Sequence, residues 1–201
     1  MAPPLIYFIR HGQTEFNLQH RFQGQQDIEL NDTGRAQARR NGKRLRELMS
    51  DPAPFDPPPF DFVASPMRRA RETMEIVRGA LGLPPQDYRT DPRLVEVHFG
   101  DWHGHTYAEL EASDPGVHAR RQRAKWTFVP PGQGAESYQM LEDRVRPWFD
   151  SVARPTVCVA HGGVIRVVFR LTQTLTPADA ADLEVPQDRI LRLRDGRLDW
   201  L

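Results

Sequence analysis

Residues 5–9, Leu-Ile-Tyr-Phe-Ile, are apolar without a break, and residues 61–64 and 156–160 repeat the pattern. Short continuous apolar runs belong to strands buried on both faces, as in parallel sheets covered by helices. Between them, helical patterns are predicted over 33–49, with Asn31 or Asp32 as the cap, and over 66–81, ending near Gly82 and Pro84. Another helix is predicted over about 136–152. This alternation predicts an α/β fold, a three-layer sandwich with a mostly parallel central sheet flanked by helices.

Residues 50–59, SDPAPFDPPP, form a proline-rich connector that can be neither helix nor central strand, so a surface loop is expected. Residues 106–126 read as one or two polar helices, closed by Pro130-Pro131-Gly132-Gln133-Gly134. The stretch 100–135 is expected to be a cap-like insertion above the sheet. From 189 to 200, apolar and polar residues alternate around Asp195-Gly196, a hairpin signal.

A chain of 201 residues fits one domain, 1–201, carrying that insertion. Its 27 Lys+Arg balance 27 Asp+Glu, so no long-range field draws in nucleic acid or an acidic membrane. Any attraction for anions must be local. The single cysteine, Cys158, excludes an intrachain disulfide framework and a multi-cysteine zinc site, and a reducing compartment is expected. The N-terminus has no basic region ahead of its apolar run, and no stretch reaches the ~18 to 20 apolar residues that span a bilayer. A cytoplasmic location is the expectation. Oligomeric state is left open by the sequence.

Ligands of α/β sheets bind beyond the carboxyl ends of strands. The three apolar runs end there in Arg10-His11-Gly12, in Ser65-Pro66 shortly before Arg68-Arg69, and in His161-Gly162-Gly163. Two histidines and at least two arginines at one sheet edge repel each other unless an anion sits among them. A phosphate dianion is the natural occupant.

The order of the motifs sharpens this reading. The chain runs Arg10-His11-Gly12-Gln13-Thr14-Glu15-Phe16-Asn17, Arg21-Phe22-Gln23-Gly24 and Leu30-Asn31-Asp32-Thr33-Gly34-Arg35. It continues with Ser65-Pro66-Met67-Arg68-Arg69-Ala70, Leu94-Val95-Glu96-Val97-His98-Phe99-Gly100-Asp101-Trp102 and His161-Gly162-Gly163-Val164-Ile165-Arg166. Over nearly its whole length it resembles the histidine phosphatase superfamily, in the phosphoglycerate mutase-like branch. The resemblance implies that His11 is the nucleophile and Glu96 the proton donor. It also implies that Arg10, Arg69 and His161 bind the phosphoryl group, with Asn17 assisting. Gln23, Gly24 and Gly162 complete the expected phosphate- and substrate-binding set. Arg69 is preferred to Arg68 because it directly precedes Ala70.

The residue types suit that chemistry. A neutral imidazole can attack phosphorus in line, dividing one hard displacement into two easier ones. Arginines offer planar donor forks matched to phosphate oxygens, and His161 would serve best protonated. Gly12 and Gly162 would let backbone approach the substrate closely. Cys158 lacks the arginine six positions on that a cysteine phosphatase loop needs, position 164 being Val, so it is expected as a small buried hydrophobe. No metal-ligand spacing such as HExxH is present, and catalysis without metal or other cofactor is expected.

Other charged residues carry two readings. Arg68 and Arg71 are expected on a solvated helix face. Arg120, Arg121, Arg123 and Lys125 form a basic run that is either solvated or in contact with a second anionic group of the substrate. His103, His105 and Tyr107 either line the pocket mouth or do not. His103 stands where the family commonly has Glu, and Gln133-Gly134-Ala135 lengthens the family's compact Pro-Pro-Gly-Gly-Glu-Ser. Both departures bear on substrate identity. The expected function is a phosphomonoesterase acting on a small phosphorylated metabolite. The alternatives are a bisphosphoglycerate-dependent phosphoglycerate mutase and a non-catalytic phosphate- or partner-binding module.

Overall fold

A computed structural model describes residues 4–50 and 60–201 of the chain. Residues 51–59 of the expected proline-rich loop lie outside the described residues. The chain forms β1 (Ile6–Arg10), α1 (Glu15–Leu18), α2 (Asp32–Met49), β2 (Asp61–Ala64), α3 (Arg68–Ala80) and β3 (Arg89–Thr90). There follow α4 (Tyr107–Ser113), α5 (Val117–Arg123), α6 (Tyr138–Asp150), β4 (Thr156–Ala160) and α7 (Gly162–Leu171). The chain ends with α8 (Pro177–Asp182), β5 (Ile190–Arg194) and β6 (Arg197–Trp200).

The sheet order is β3-β2-β4-β1-β5-β6. β1, β4, β2 and β3 are mutually parallel, while the hairpin β5–β6 joins antiparallel to β1. Because side chains alternate along a strand, β1 feeds two cores. Ile6 and Phe8 pack with α6 and α7 through Leu141, Trp148 and Ile165. Tyr7 and Ile9 pack on the other face with Leu45 of α2 and Met74 and Val77 of α3. Trp148 is fully buried against the edge of Phe8, and its truncation to Ala costs about 3–5 kcal/mol by the usual measure of large core deletions.

Asn31 is the cap of α2, accepting the Gly34 N–H at 2.9 Å. The helix predicted over 66–81 starts two residues later, at Arg68, and the one predicted from 136 starts at Tyr138, capped by Ser137. The polar stretch 106–126 resolves into α4 and α5. No helix among the described residues is long and apolar enough to cross a membrane.

Candidate active site

β1, β2 and β4 run parallel and side by side, so their carboxyl ends deliver Arg10-His11, Ser65 and His161 to one edge of the sheet. Beyond that edge lies a cavity of about 150 Å³. Arg10, His11, Asn17, Gln23, Gly24, Arg69, Glu96 and Gly162, all expected from the sequence, line it. His161 does not. It is fully buried behind His11, with ring centroids 5.1 Å apart.

The tautomer of His11 follows from its neighbours. Nδ1 lies 2.8 Å from the Gly12 carbonyl, which only accepts, so Nδ1 carries the proton. That leaves a lone pair on Nε2, which takes the Arg69 Nε–H at 3.2 Å. Burial, then Arg69 and Arg10, hold the His11 pKa well below the usual histidine value, so the ring is neutral. Burial, then Arg69, His11 and Arg10, act on His161 in the same direction. Its Nε2 pairs with Ser65 Oγ at 2.7 Å, and its Nδ1 has no partner. The protonated His161 favoured by sequence reasoning is therefore not the form that the ligand-free site supports.

Arg69 sits in the first turn of α3 and is nearly solvent-free. Nη1 donates to the Gln26 carbonyl at 2.7 Å and Nη2 to Gly24 at 2.6 Å. Arg10 donates from Nη1 to the Val185 carbonyl at 2.6 Å, while its Nε is buried without a partner. Burial pushes both arginines down to about 10, which leaves them cationic at neutral pH. Asn17 is the third residue of α1, in a capping box with Thr14, and its Oδ1 accepts from the Thr14 N–H at 3.2 Å and from Gln187 Nε2 at 3.0 Å. Thr14 Oγ1 also donates to Gln23 Oε1 at 2.8 Å, and Gln23 Nε2 is buried with no partner. Glu96 projects from the loop before α4. Its Oε1 accepts from the Val97 N–H at 2.9 Å and its Oε2 from the Gly163 N–H at 3.1 Å.

Several sequence expectations are corrected. Gly12 is required by packing rather than by substrate, since a Cβ there would lie 2.3 Å from the Gly34 carbonyl oxygen. In the basic run, Arg120 pairs with Asp114 and Lys125 with Asp182. Arg121 is buried among Phe22, Phe99 and Trp102, with its guanidinium on the Tyr107 hydroxyl. None of the run lines the cavity. Nor do His103, His105 and Tyr107. His103 instead ties two loops together, accepting the Phe99 N–H at 3.0 Å and the Gln25 N–H at 3.4 Å on Nε2. Cys158 is buried in β4, where desolvation pushes its thiol up and out of reach of chemistry at neutral pH.

Sequence reasoning missed the segment 183–187. Its Leu183 and Val185 carbonyls hold Arg166 and Arg10, and Gln187 Nε2 donates to the His11 carbonyl at 3.0 Å. Backbone acceptors leave no signature in residue type. Arg144 was missed too. It grips Glu136 through two hydrogen bonds, of 3.0 and 2.9 Å, and donates to the Arg93 and Val95 carbonyls that lead to Glu96.

A neutral imidazole whose Nε2 lone pair faces the Arg69 guanidinium in the cavity, with Arg10 beside it at a parallel sheet edge, suits the handling of a phosphoryl group. The model of the histidine phosphatase superfamily (branch 1) matches residues 6–198. The chain belongs to that superfamily and is a phosphatase of its type. It is 36% identical over 174 residues to the glucosyl-3-phosphoglycerate phosphatase of Mycobacterium tuberculosis, covering 80% of this chain and 71% of the relative. It is 30% identical to a 2,3-bisphosphoglycerate-dependent phosphoglycerate mutase of Methylocella silvestris, covering 90% and 87%. The solved structure of mycobacterial glucosyl-3-phosphoglycerate phosphatase with VO3 superposes with a TM-score of 0.77 at 31% identity, covering 98% of each chain.

Proposed function

We propose that the chain hydrolyses a small phosphate monoester through a phosphohistidine on His11, without a metal ion. The observation that carries this is the His11 tautomer, with Nδ1–H fixed on Gly12 and the Nε2 lone pair beside Arg69 in the cavity. In the first step Nε2 forms a bond to phosphorus as the bond to the ester oxygen breaks, and Glu96 gives that oxygen its proton. In the second, water attacks phosphorus, Glu96 takes the water's proton, and His11 leaves as the neutral imidazole. Arg10 and Arg69 bind the phosphoryl oxygens throughout, with Asn17 and the unpartnered Gln23 amide as further donors. Gly24 and Gly162 line the substrate's path. His161, in its neutral form, backs the ring of His11, with ring centroids 5.1 Å apart. Residues 100–135 are a cap-like insertion above the sheet, within the one domain. The partner is a soluble small molecule rather than nucleic acid or membrane, and the enzyme acts in the cytoplasm.

Phosphate release from p-nitrophenyl phosphate, sugar phosphates, 3-phosphoglycerate and glucosyl-3-phosphoglycerate, measured with EDTA, tests the reading. Release in EDTA by wild type, lost in His11→Ala, with a phosphate adduct on wild type in intact mass spectra, is the expected result. Conversion of 3-phosphoglycerate to its isomer without net release would favour a mutase. No release and no adduct would leave a binding module.

A further inference from the structure

Four arginines line the cavity, Arg10, Arg21, Arg69 and Arg166, against one acid, Glu96. Arg21 is neutralised outside the site by Glu109, at 2.8 and 3.0 Å. Among the described residues the other three form no ion pair. The acids whose charge Arg10 and Arg69 feel from outside, Glu184 and Asp27, are exposed and do not line the cavity. With Glu96 carrying the proton it delivers, a bound phosphoryl dianion faces three cations. One positive charge is left over.

Arg166 is the cation that phosphate does not need. It stands on α7, one turn past Gly162, and its Nε is anchored to the Leu183 carbonyl at 3.0 Å. Nη1 lies 3.4 Å from the Tyr138 hydroxyl, and the guanidinium carbon is 5.8 Å from the Tyr138 ring centre. These contacts fix the plane of the fork and leave Nη2 without a protein partner among the described residues. Arg166 also flanks the phosphate-binding arginine. A Cβ on Gly162 would lie 3.3 Å from Arg166 Nη1 and 3.6 Å from Arg10 Nε, so the two guanidinium groups meet over that glycine. Two like charges so close are stable only when negative charge arrives between or beside them.

We propose that Arg166, with the Tyr138 hydroxyl, binds a carboxylate carried by the substrate close to its phosphate. This rests on the phosphatase reading above and narrows it to phosphorylated hydroxy acids. A carboxylate brings the single negative charge that is missing and matches a planar donor fork. The basic run 120–125, which sequence reasoning offered for a second anion, does not line the cavity, and its Arg120, Arg121 and Lys125 are engaged by Asp114, the Tyr107 hydroxyl and Asp182.

The test compares two esters of one shape, 3-phospho-D-glycerate and sn-glycerol 1-phosphate, which share the configuration at C2 and differ in a carboxylate against a hydroxymethyl group. The readout is the ratio of their kcat/KM values, so a general loss of activity cancels. Wild type is expected to favour 3-phosphoglycerate by tenfold or more, chiefly through KM. In Arg166→Gln the ratio falls toward one, and in Arg166→Lys, which keeps the charge without the fork, it lies between. Equal kcat/KM values in wild type, or an equal loss on both esters in Arg166→Gln, overturns the carboxylate subsite and leaves the phosphatase reading standing. Failure of wild type to release phosphate from either ester or from p-nitrophenyl phosphate overturns the phosphatase reading and, with it, this one.

Discussion

Gly163 holds the carboxylate of Glu96 from across the cavity: its backbone N–H donates to Oε2 at 3.1 Å, in the first turn of α7. The approach is so close that a Cβ on Gly163 would sit 2.2 Å from Glu96 Oε1. Helix N-termini favour negative charge, so α7 both attracts the acid and fixes where it points. Gly163→Ala is expected to lower kcat while the protein stays folded, because Glu96 must swing off the ester oxygen. Kinetics alongside a thermal melt check this. A variant with unchanged kcat would mean that Glu96 does not need this position.

Replacing the acid itself separates its role from binding. General acid catalysis is worth roughly 10²- to 10⁴-fold, and most where the leaving group is a poor one. Glu96→Gln is therefore expected to lose about that factor in kcat on glycerol phosphate and far less on p-nitrophenyl phosphate, whose phenolate leaves without help. Equal losses on both substrates would assign Glu96 to binding or shape instead.

His103 gives a pH prediction. Burial, then His98 and Arg69, push its pKa down from 6.5 to about 4. The unfolded chain takes up this proton near pH 6.5 and the folded one only near 4, so between those values unfolding binds protons and acid favours it. The contribution is complete above the upper value and shrinks as pH falls toward the lower. The cause is concrete, since a protonated Nε2 would turn an N–H against the Phe99 and Gln25 N–H groups that it now accepts. His11 and His161 shift in the same direction, so the quantity to measure is the melting-temperature difference between wild type and His103→Gln. That difference should move in favour of the variant between neutral pH and pH 4. A constant difference would show that the proton on His103 is irrelevant to the loops it joins.

What the sequence made legible is what repeats or what is chemically unusual. β1 and β4 announce themselves because the unbroken apolar runs Leu5–Ile9 and Val157–Ala160 have few other fates, and α2 because Ala38, Asn41, Gly42 and Leu45 return to one face. The histidines and arginines brought to the sheet edge were conspicuous because they follow strand ends, whereas Asn17, Gln23, Glu96 and the choice of Arg69 over Arg68 came only through the family resemblance. β3, with only two residues, both exposed, carries no pattern, and α7 begins on two glycines that look like a loop. The segment 183–187 was invisible for another reason, since it acts mainly through backbone carbonyls.

Arg144 and Glu136 illustrate the same limit, and they yield the last prediction. An arginine on an amphipathic helix reads as solvated, yet Arg144 of α6 is locked on Glu136 through Nε and Nη2. Glu136 Oε2 accepts the His98 N–H at 3.0 Å, and Arg144 Nη1 holds the Arg93 and Val95 carbonyls, each at 2.9 Å. Together the pair clasps both sides of Glu96 without touching the reacting atoms, which makes them positioning residues. Arg144→Met and Glu136→Gln are each expected to lower kcat on glycerol phosphate more than on p-nitrophenyl phosphate, the same signature as loss of the acid. Because either change opens the same clasp, the double variant should be little worse than the poorer single one. That corresponds to a coupling of about 0.5–3 kcal/mol, as found for residues in one network. Additive losses, or equal losses on both esters, would show that the clasp serves stability alone and that Glu96 is placed by Gly163 and Val97 without it.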